Sequence, residues 1–523
     1  MIEADSIPAN QRPLHALNRL AFGPRPGDLA HISRTGVERW IDQQLHPESF
    51  LEPPDLTRQI AAMRTLHMTP VELFVQYQIP VRQASKDDTD AKKMARQQAR
   101  IVIQEAVRAR IIRAVTGPRQ LHEVMTAFWF NHFNVFAGKG PCHLWIGSFE
   151  QEAIRPHALG RFRDLLGATA RHPAMLFYLD NWQNTAPNAP GSHGKFEGIN
   201  ENYARELMEL HTLGVNGGYA QADVIALAHI LTGWGLVRRE NQMRPRFGGF
   251  GPFGFHPWRR GAARAQALPG TVRTSSGFFF DPSRHDSSDK ILLGHQIKAD
   301  GITEGEDALD LLARSPATAN HLSYQLAQYF VADNPPPDLV ERMAQRYLAS
   351  DGNIREVLAA LFASSAFWDR RCYGVKFKTP YEYVISAVRA AGSPVLNVRP
   401  LAATMARLGM PLYGCQTPDG YKNTQEAWLN PDAMMIRLSF ATGLGVGRLP
   451  LDRPVDEFAD EGGAMRLAAL ATGPVPRMEP PDPSQLAATL GDLFSPQTAD
   501  AVKAAPAQLR APLIIGSPEF MRR

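Results

Sequence analysis

The run from Asn200 to Gly214 (NENYARELMELHTLG) concentrates side chains that can transfer protons or bind ions. It contains three carboxylates, one arginine, two amides and one histidine. At 100° per residue, the carboxylates and the arginine share one helix face, whereas His211 lies in the middle of the apolar face. We therefore predict a helix over residues 199–213 whose polar face lines a pocket. The alternative is a solvated face, in which each salt bridge contributes only about 0.2–0.5 kcal/mol.

The polar face of this predicted helix suggests specific chemical roles. Glu206 and Glu209 are three positions apart and project together, so they are candidates for an acid–base pair or for metal ligands. Arg205 has a carboxylate four positions away on either side, which would hold its guanidinium in place for an anionic group. Asn202 lies on the same face, and we predict that it binds substrate.

A second group of polar side chains lies in the aromatic run FWFNHF, residues 128–133. A buried imidazole without a hydrogen-bond partner costs about 1–3 kcal/mol, so His132 is either a hydrogen-bonded core residue or part of a site. We predict that Asn131 binds substrate and that His132 joins Glu206 and Glu209 as a metal ligand. Carboxylate and imidazole ligands suit iron, manganese and zinc about equally.

The segment FDPSRHD, residues 280–286, places a histidine between an arginine and a carboxylate. His285 could act as a general base that is oriented by Asp286, and Arg284 could bind an anionic substrate. The alternative is a turn built from the Asp-Pro pair and the serine.

Apolar residues recur at helical spacing over most of the chain. Two long helices are predicted over residues 56–83 and 92–116, joined by a charged turn at 85–90, and residues 277–281 are the only strand-like run. This pattern indicates an all-α fold, a large bundle-like body of many helices with long irregular loops. Further helices are predicted over residues 118–133, 147–170, 199–213, 221–234, 304–314, 316–331, 337–349, 353–364, 379–391 and 399–408.

We divide the chain into a main helical domain, residues 1–446, and a C-terminal helical segment, residues 447–523, that packs on it. The main domain includes a basic Gly-, Arg- and Phe-rich loop over residues 238–276, whose arginines outnumber its acidic residues by eight to one. Loops of this length are often functional lids or disordered. We predict a mobile lid beside the 199–213 helix; base stacking on nucleic acid and the lack of any role are the alternatives.

Composition and charge limit the classes of protein. The net charge of +4 over 523 residues is too small to steer the chain toward nucleic acid or a membrane. No run approaches the 18 or so apolar residues of a membrane span. Residues 1–20 lack the basic start and apolar stretch of a secretory signal, so we predict a cytoplasmic protein unless a leader was removed.

Several common sites are not indicated by the sequence. The three cysteines are far apart and form no CxxC motif, so neither a disulfide framework nor a zinc knuckle is predicted. The motifs GxxxxGK[ST], GxSxG and HExxH, and a strand–GxGxxG–helix arrangement, do not occur, which argues against the common nucleotide, hydrolase and zincin sites.

The 200–214 run, the aromatic run and the 280–286 segment together resemble a bacterial family called domain of unknown function 1800. The resemblance implies a predominantly helical fold without an assigned activity. It also implies a sulfatase-like partner protein encoded nearby. The basic loop before Phe280 is longer than is usual for the family. Other segments that carry the resemblance are NRLAFG (18–23), EAIRPH (152–157), RHPAML (171–176), AHILTGW (228–234), FKTP (377–380) and WLNP (428–431).

Our leading hypothesis is an enzyme whose polar centre combines Glu206 and Glu209 with His132 and His285, with a divalent metal as a candidate cofactor. A hydrolase or an oxidoreductase that acts on an anionic or carbohydrate-like substrate fits this set. The alternative is a non-catalytic helical scaffold or chaperone for the sulfatase-like partner.

Overall fold

The computed structural model describes residues 6–84, 89–192, 198–236, 270–453 and 477–523. Helices make up 60% of the structure and strands only 4%, so the all-α prediction is confirmed. The arginine-rich part of the loop, together with the lid predicted from it, lies outside the described residues. No helix of the described residues has the length and apolar content that crossing a membrane requires.

Short N-terminal helices, of which those at residues 54–61 and 79–83 pack on it, precede one long helix, α7 (Thr89–Thr116). The single helix predicted over residues 56–83 is wrong, because proline cannot donate the backbone hydrogen bond that would continue a helix through Pro70. A new helix starts there instead: Thr69 N donates to Glu72 Oε2 at 2.8 Å, and Glu72 N donates to the Thr69 hydroxyl oxygen at 3.3 Å. The region contains α1 (Arg12–Leu20), α2 (Asp28–Thr35), α3 (Val37–Leu45), α4 (Pro54–Ala61), α5 (Pro70–Leu73) and α6 (Ile79–Gln83), with a π-helix at Phe74–Gln78 and 3₁₀ turns at Pro47–Ser49 and Arg64–His67.

The central part of the chain supplies the walls of the candidate site. The helix predicted over residues 147–170 is wrong as a single element, since it is divided into an α-helix, a π-helix, a 3₁₀ turn and a second α-helix around Pro156. The elements are α8 (Gln120–His132), α9 (Cys142–Ser148), α10 (Phe162–Arg171), α11 (Pro173–Tyr178), α12 (Asn202–Glu209) and α13 (Gln221–Ile230), with the π-helix at Phe149–Ile154 and 3₁₀ turns at Arg155–His157 and Asn181–Gln183.

Helix α12 is shorter than the predicted 199–213 helix, and His211 lies beyond its end. The Thr212 hydroxyl donates to the carbonyl of Leu207 at 2.7 Å and satisfies an acceptor of the last turn. Gly214 then takes a φ of +82°, and a Cβ added there would lie 2.8 Å from Nδ1 of His321. The chain therefore turns away sharply after α12.

Two small antiparallel sheets follow α13. The first has the order β1 (Trp234–Leu236), β3 (Phe278–Phe280), β2 (Val272–Arg273), and the second is the hairpin of β4 (Lys290–Leu292) and β5 (His295–Ile297). Strand β3 confirms the strand-like run at residues 277–281. A Cβ added at Gly305 would lie 2.1 Å from the ring of Trp234, so only glycine lets the helix at this position pack on β1.

The remaining helices surround the other side of the site. Serine or threonine caps followed by proline begin the helices at residues 316 and 380, as expected for helix N-termini. The helices are α14 (Ile302–Ala313), α15 (Pro316–Phe330), α16 (Pro337–Ala349), α17 (Ile354–Phe362), α18 (Pro380–Ala391), α19 (Arg399–Arg407), α20 (Gln425–Trp428), α21 (Pro431–Gly445), α22 (Pro483–Leu490), α23 (Pro496–Ala504) and α24 (Ala507–Ile515), with 3₁₀ turns at Pro282–Arg284, Arg370–Cys372 and Gly491–Leu493.

One continuous cluster of buried hydrophobic side chains runs from Ala16 to Met521. The segment after residue 446 contributes to it through Leu486, Ile515 and Phe520. Helix α24 packs on α21, and the backbone of Arg523 pairs with that of Lys376. Both ends of the described chain therefore share one core.

Candidate functional site

A cavity of about 260 Å³ lies among α7, α8, α15, the start of α18 and the segment from residue 410 to 423. Three of the predicted site residues, Asn131, His132 and Glu209, line it. The lining is rich in aromatic rings and in side chains that can form hydrogen bonds. Its polar members include Arg110, Asn131, His132, Asn134, Glu209, His321, Gln325, Gln328, Thr379, Glu382, Asp419, Lys422 and Asn423, and its aromatic members are Phe128, Phe130, Tyr329, Tyr381, Tyr413 and Tyr421.

The cavity has a buried end and an open end. Arg110, Tyr381 and Tyr413 are 8%, 4% and 3% exposed, whereas Val215 is 66% exposed. Glu209 is half-buried and Asp419 is exposed. A ligand would therefore enter past the carboxylates and reach toward the arginine.

Asn131 connects α8 to the segment that forms the open end. Its Nδ2 donates to the carbonyl of Tyr421 at 2.8 Å, and its Oδ1 accepts from Tyr421 N at 2.8 Å. Both ends of the amide are thus used to hold the 417–423 segment against α8. Asn131 was predicted to bind substrate, and the structure gives it a positioning role at the wall of the cavity.

The close approach of the two segments depends on Gly420. Its φ is +70°, and an added Cβ would lie 2.2 Å from the backbone oxygen of Asn131. We expect Gly420→Ala to lower the free energy of unfolding by about 2–4 kcal/mol, since it combines backbone strain with a collision against backbone. Chemical denaturation of the variant measures this.

Gly374→Ala is the matched control. Gly374 has a similar φ of +62°, but among the described residues no atom lies within 4 Å of an added Cβ. It should cost only about 1–2 kcal/mol, the part that comes from the positive φ. Equal costs for the two variants would show that Gly420 is required for its backbone conformation alone.

Three carboxylates lie together at the open end. Glu209 and Asp419 line the cavity, and Glu206, one turn before Glu209 and not itself part of the lining, has its pKa raised by both of their charges. Burial is the main cause of that raised pKa, ahead of the repulsion from Glu209, and Arg205 only partly offsets it. Glu206 therefore retains its proton to a higher pH than an ordinary glutamate.

Asp419 has the opposite tendency. Its partial burial opposes ionisation, but hydrogen bonds from Lys422 and Thr417 outweigh that effect and lower its pKa. The Lys422 ammonium lies 2.7 Å from Asp419 Oδ2. Two carboxyl groups with pKa values shifted in opposite directions can serve as the acid and the base of a reaction.

The polar face of α12 is not substantially buried, contrary to the prediction. Asn202 is exposed, and Arg205, Glu206 and Glu209 are half-buried. Arg205 donates to Glu201 at 3.0 Å and to Gln221 at 2.9 Å, so it connects α12 to α13. Asn202 donates to the carbonyl of Leu179 at 3.1 Å. The first turn of α12 is therefore a solvated face with salt bridges, as the alternative proposed. At the last turn, Glu209 lines the cavity, as the pocket interpretation predicted.

His132 is a hydrogen-bonded histidine at the wall of the cavity. Its Nδ1 lies 2.8 Å from Gln325 Oε1, and its Nε2 lies 3.1 Å from the carbonyl oxygen of His211. Burial, followed by the nearby His321, lowers its pKa to about 4. His132 is therefore neutral at ordinary pH and holds the chain that follows α12.

The segment of Arg284, His285 and Asp286 lies in a separate polar network, and none of the three lines the cavity. Arg284 donates to the carbonyl of Trp182 at 3.0 Å. His285 is buried, with Nε2 at 2.9 Å from Glu304 and Nδ1 at 2.9 Å from a backbone carbonyl. Both of its ring nitrogens are therefore engaged. The predicted polar centre required His285 to lie beside Glu206 and Glu209. The structure places it elsewhere, so that part of the prediction is wrong.

Asp286 lies next to a histidine that the sequence analysis did not select. Nδ1 of His229 on α13 lies 2.5 Å from Asp286 Oδ2. Hydrogen bonds from Ser288 and from His229, with Lys290 nearby, outweigh partial burial and lower the pKa of Asp286 to about 2. Lys290 continues the network to Glu304, 2.6 Å away, which joins β4 to α14.

Arg110 on α7 forms the buried end of the cavity. Its guanidinium lies 5.0 to 5.2 Å from the ring centroids of Phe130, Tyr381 and Tyr413. Its Nη1 donates to Glu150 Oε2 at 3.2 Å. Glu150 belongs to the π-helix after α9, and such wide turns often occur at functional sites.

A family model described as "Protein of unknown function (DUF1800)" matches residues 15–522, nearly the whole chain. The chain belongs to this family. The resemblance seen in the sequence is therefore confirmed. No curated protein and no solved structure matches the chain.

In this DUF1800 protein, the described residues contain no group of three or more histidine, cysteine, aspartate or glutamate side chains arranged to hold a metal ion. His132 was predicted to bind a metal with Glu206 and Glu209, but both of its ring nitrogens face oxygen atoms of Gln325 and His211. Metal binding stays a prediction, without support from this arrangement.

Proposed function

We propose that the cavity is the active site of a hydrolase that cleaves a glycosidic bond in a small, polar, carbohydrate-like substrate. Ligand sites commonly have volumes of roughly 300–1,000 Å³, and a volume of about 260 Å³ suits a ligand of one or two sugar rings. Tyr329, Tyr381 and Tyr421 contribute aromatic rings to the lining, and amides and carboxylates can bind hydroxyl groups. The lining thus has the chemistry that a sugar requires.

The observation that carries the proposal is the pair of oppositely shifted carboxyl groups at the open end. Glycosidases use one protonated carboxylic acid and one ionised carboxylate, on either side of the bond that they cleave. Glu206, with its raised pKa, suits the acid. Asp419, with its lowered pKa, suits the ionised partner. Glu209 supports the first assignment because its charge raises the pKa of Glu206.

The reaction consumes one water molecule. Glu206 donates its proton to the glycosidic oxygen as the bond between that oxygen and the anomeric carbon breaks. The oxygen of water forms the new bond to the anomeric carbon, and Asp419 accepts the proton that this water loses. The products are two hydroxyl compounds, and proton transfer between the carboxyl groups through solvent restores the starting state.

We expect Glu206→Gln to slow hydrolysis of an alkyl glycoside by about 10²–10⁴-fold, the usual contribution of a general acid. An aryl glycoside with a nitrophenol leaving group needs little protonation, so its hydrolysis should slow much less. Steady-state kinetics on both substrate types measures the difference. Glu201→Gln is the matched control, because Glu201 lies at the start of the same helix and is engaged there by Arg205 and Gln221.

The pH profile provides a second test of the same assignment. The rate should rise as pH increases through the lowered pKa of Asp419 and fall as pH increases through the raised pKa of Glu206. In Glu206→Gln the falling limb should disappear. Wild-type protein that hydrolyses no glycoside, or an unchanged rate in Glu206→Gln, would reject the hydrolase and favour the alternative of a non-catalytic scaffold for a sulfatase-like partner.

A further inference from the structure

The buried end of the cavity contains a hydrogen-bond donor that no described residue accepts. Arg110 is 8% exposed and lines the cavity, and its Nε has no hydrogen-bond partner among the described residues. Three aromatic rings fix the plane of the guanidinium, Glu150 holds Nη1, and the hydroxyl groups of Tyr381 and Tyr413 also interact with the guanidinium. A buried donor without an acceptor costs about 1–3 kcal/mol. A ligand oxygen at this end of the cavity would remove that cost.

A cluster of buried cations lies beside the cavity, next to its lining residues Glu382 and Asn423. Arg19, Lys376, Lys378 and Arg523 are all less than 5% exposed. The described carboxylates that pair with them are Glu382, whose Oε1 lies 2.9 Å from Arg523 Nη2, and Asp333, which binds Lys376. Four cations thus face two carboxylates, and Glu382 lines the cavity.

Repulsion among these cations contributes to their lowered pKa values. Burial, followed by repulsion from Arg523, lowers the pKa of Arg19 to about 9 and that of Lys376 to about 8. Lys378 is lowered to about 7 by burial, with Arg437 and Arg523 contributing. A negative charge in the adjacent cavity would relieve this repulsion.

The open end has the opposite sign, since Glu209 and Asp419 line it with Lys422 as their cation. A ligand carboxylate would be repelled by Glu209 and Asp419 and would find a cation in Arg110 at the buried end. A ligand that carries both hydroxyl groups and one carboxylate would therefore bind in a single orientation.

We propose that the substrate is a carboxylate-bearing sugar, of the uronic acid class, whose carboxylate binds Arg110 at the buried end of the cavity. This inference rests on the proposed function, because the carboxylate orients the sugar so that its glycosidic bond lies at Glu206 and Asp419. Arg110 contacts the substrate and selects it. The guanidinium plane matches a carboxylate, whereas an ammonium group does not reproduce its parallel N–H donors.

The test is equilibrium binding of D-glucuronate, D-glucose and acetate to the full chain by ligand-observed NMR. D-glucuronate should bind at least tenfold more tightly than D-glucose or acetate, because a hydrogen bond to a charged group is worth about a factor of ten or more. Equal affinity for D-glucose would overturn the carboxylate requirement. Equal affinity for acetate would overturn the sugar requirement.

Arg110→Lys should weaken D-glucuronate binding by about tenfold or more and leave D-glucose binding unchanged. Arg155→Lys is the matched control, because Arg155 also approaches Glu150, at 3.5 Å, but does not line the cavity. It should bind D-glucuronate as the wild type does. Equal losses in both variants would show an effect of packing around Glu150 and overturn the role of Arg110.

A structure of the wild-type protein with D-glucuronate tests the proposal without any substitution. The carboxylate is expected within hydrogen-bond distance of Arg110. A carboxylate at Lys422, or no bound sugar, would overturn the proposal. Because binding needs no proton transfer, glucuronate bound at Arg110 without glycoside hydrolysis would reject the hydrolase while retaining the recognition site.

Discussion

Replacing Glu304 by glutamine is expected to lower the free energy of unfolding by about 3–5 kcal/mol. Glu304 is fully buried, and its Oε2 lies 2.6 Å from Nζ of Lys290. Its Oε1 accepts from His285 and from the backbone N–H groups of Asp300 and Gly301 at 2.9, 3.0 and 3.1 Å. Glutamine removes the charge that Lys290 needs and presents an N–H group where oxygen now accepts.

Chemical denaturation measures this effect, and Glu306→Gln is the control, two positions further along α14. Glu306 also pairs with arginines, Arg163 and Arg171, but its side chain is 35% exposed. It should cost less than about 1 kcal/mol, as partly exposed ion pairs do. Similar losses for the two variants would mean that burial of the network does not determine its contribution.

The same network predicts a dependence of stability on pH. Hydrogen bonds from His285 and Lys290 outweigh burial and keep the pKa of Glu304 below 4.5. A carboxyl group with a lowered folded-state pKa stabilises the protein above its unfolded pKa, and this stabilisation is lost as pH falls toward the folded value. As pH falls from 7 through the ordinary range of a glutamate pKa, the wild type should therefore lose more of its free energy of unfolding than Glu304→Gln loses.

Helical spacing and capping residues were enough to predict much of the fold. The helices predicted over residues 316–331 and 379–391 are α15 and α18, and each starts with a serine or threonine cap followed by proline. Such signals are local, because they depend on hydrogen bonds between residues two or three positions apart. The predictions over residues 56–83 and 147–170 were wrong because apolar spacing continues through proline residues that interrupt the helix.

The sequence predicted only those residues of the candidate site that lie close together along the chain. Glu206 and Glu209 could be selected from one helix, whereas Asp419 contributes through a segment that Asn131 holds across 290 positions of the chain. Nothing in the sequence near Asp419 or Arg110 indicates that both line one cavity. Likewise, the pairing of Asp286 with His229 joins residues 57 positions apart. The flanking residues of His285 predicted a general base, but its partners are set by long-range packing.

Glu150→Gln is expected to lower the free energy of unfolding by about 3–5 kcal/mol, because it leaves the buried Arg110 without a carboxylate. Glu150 is 1% exposed and accepts from Arg110 at 3.2 Å and from the Tyr413 hydroxyl at 3.0 Å. Arg155 should be affected less, since Glu123 binds it through two hydrogen bonds of 2.6 and 2.9 Å. Asp338→Asn, in an exposed pair with Arg342, should cost no more than about 0.5 kcal/mol.

A double variant separates the cost of an unpaired charge from the contribution of the pair itself. Replacing a buried ion pair by apolar side chains of similar volume is often neutral, whereas removing one partner is not. Arg110→Met combined with Glu150→Met should therefore be more stable than Glu150→Gln alone, while D-glucuronate binding is lost. This combination would mean that the pair is retained for recognition of the ligand. A double variant that is less stable than Glu150→Gln would show instead that Arg110 and Glu150 hold α7 to the π-helix. The main contribution of Arg110 and Glu150 would then be to the stability of the fold and not to ligand binding.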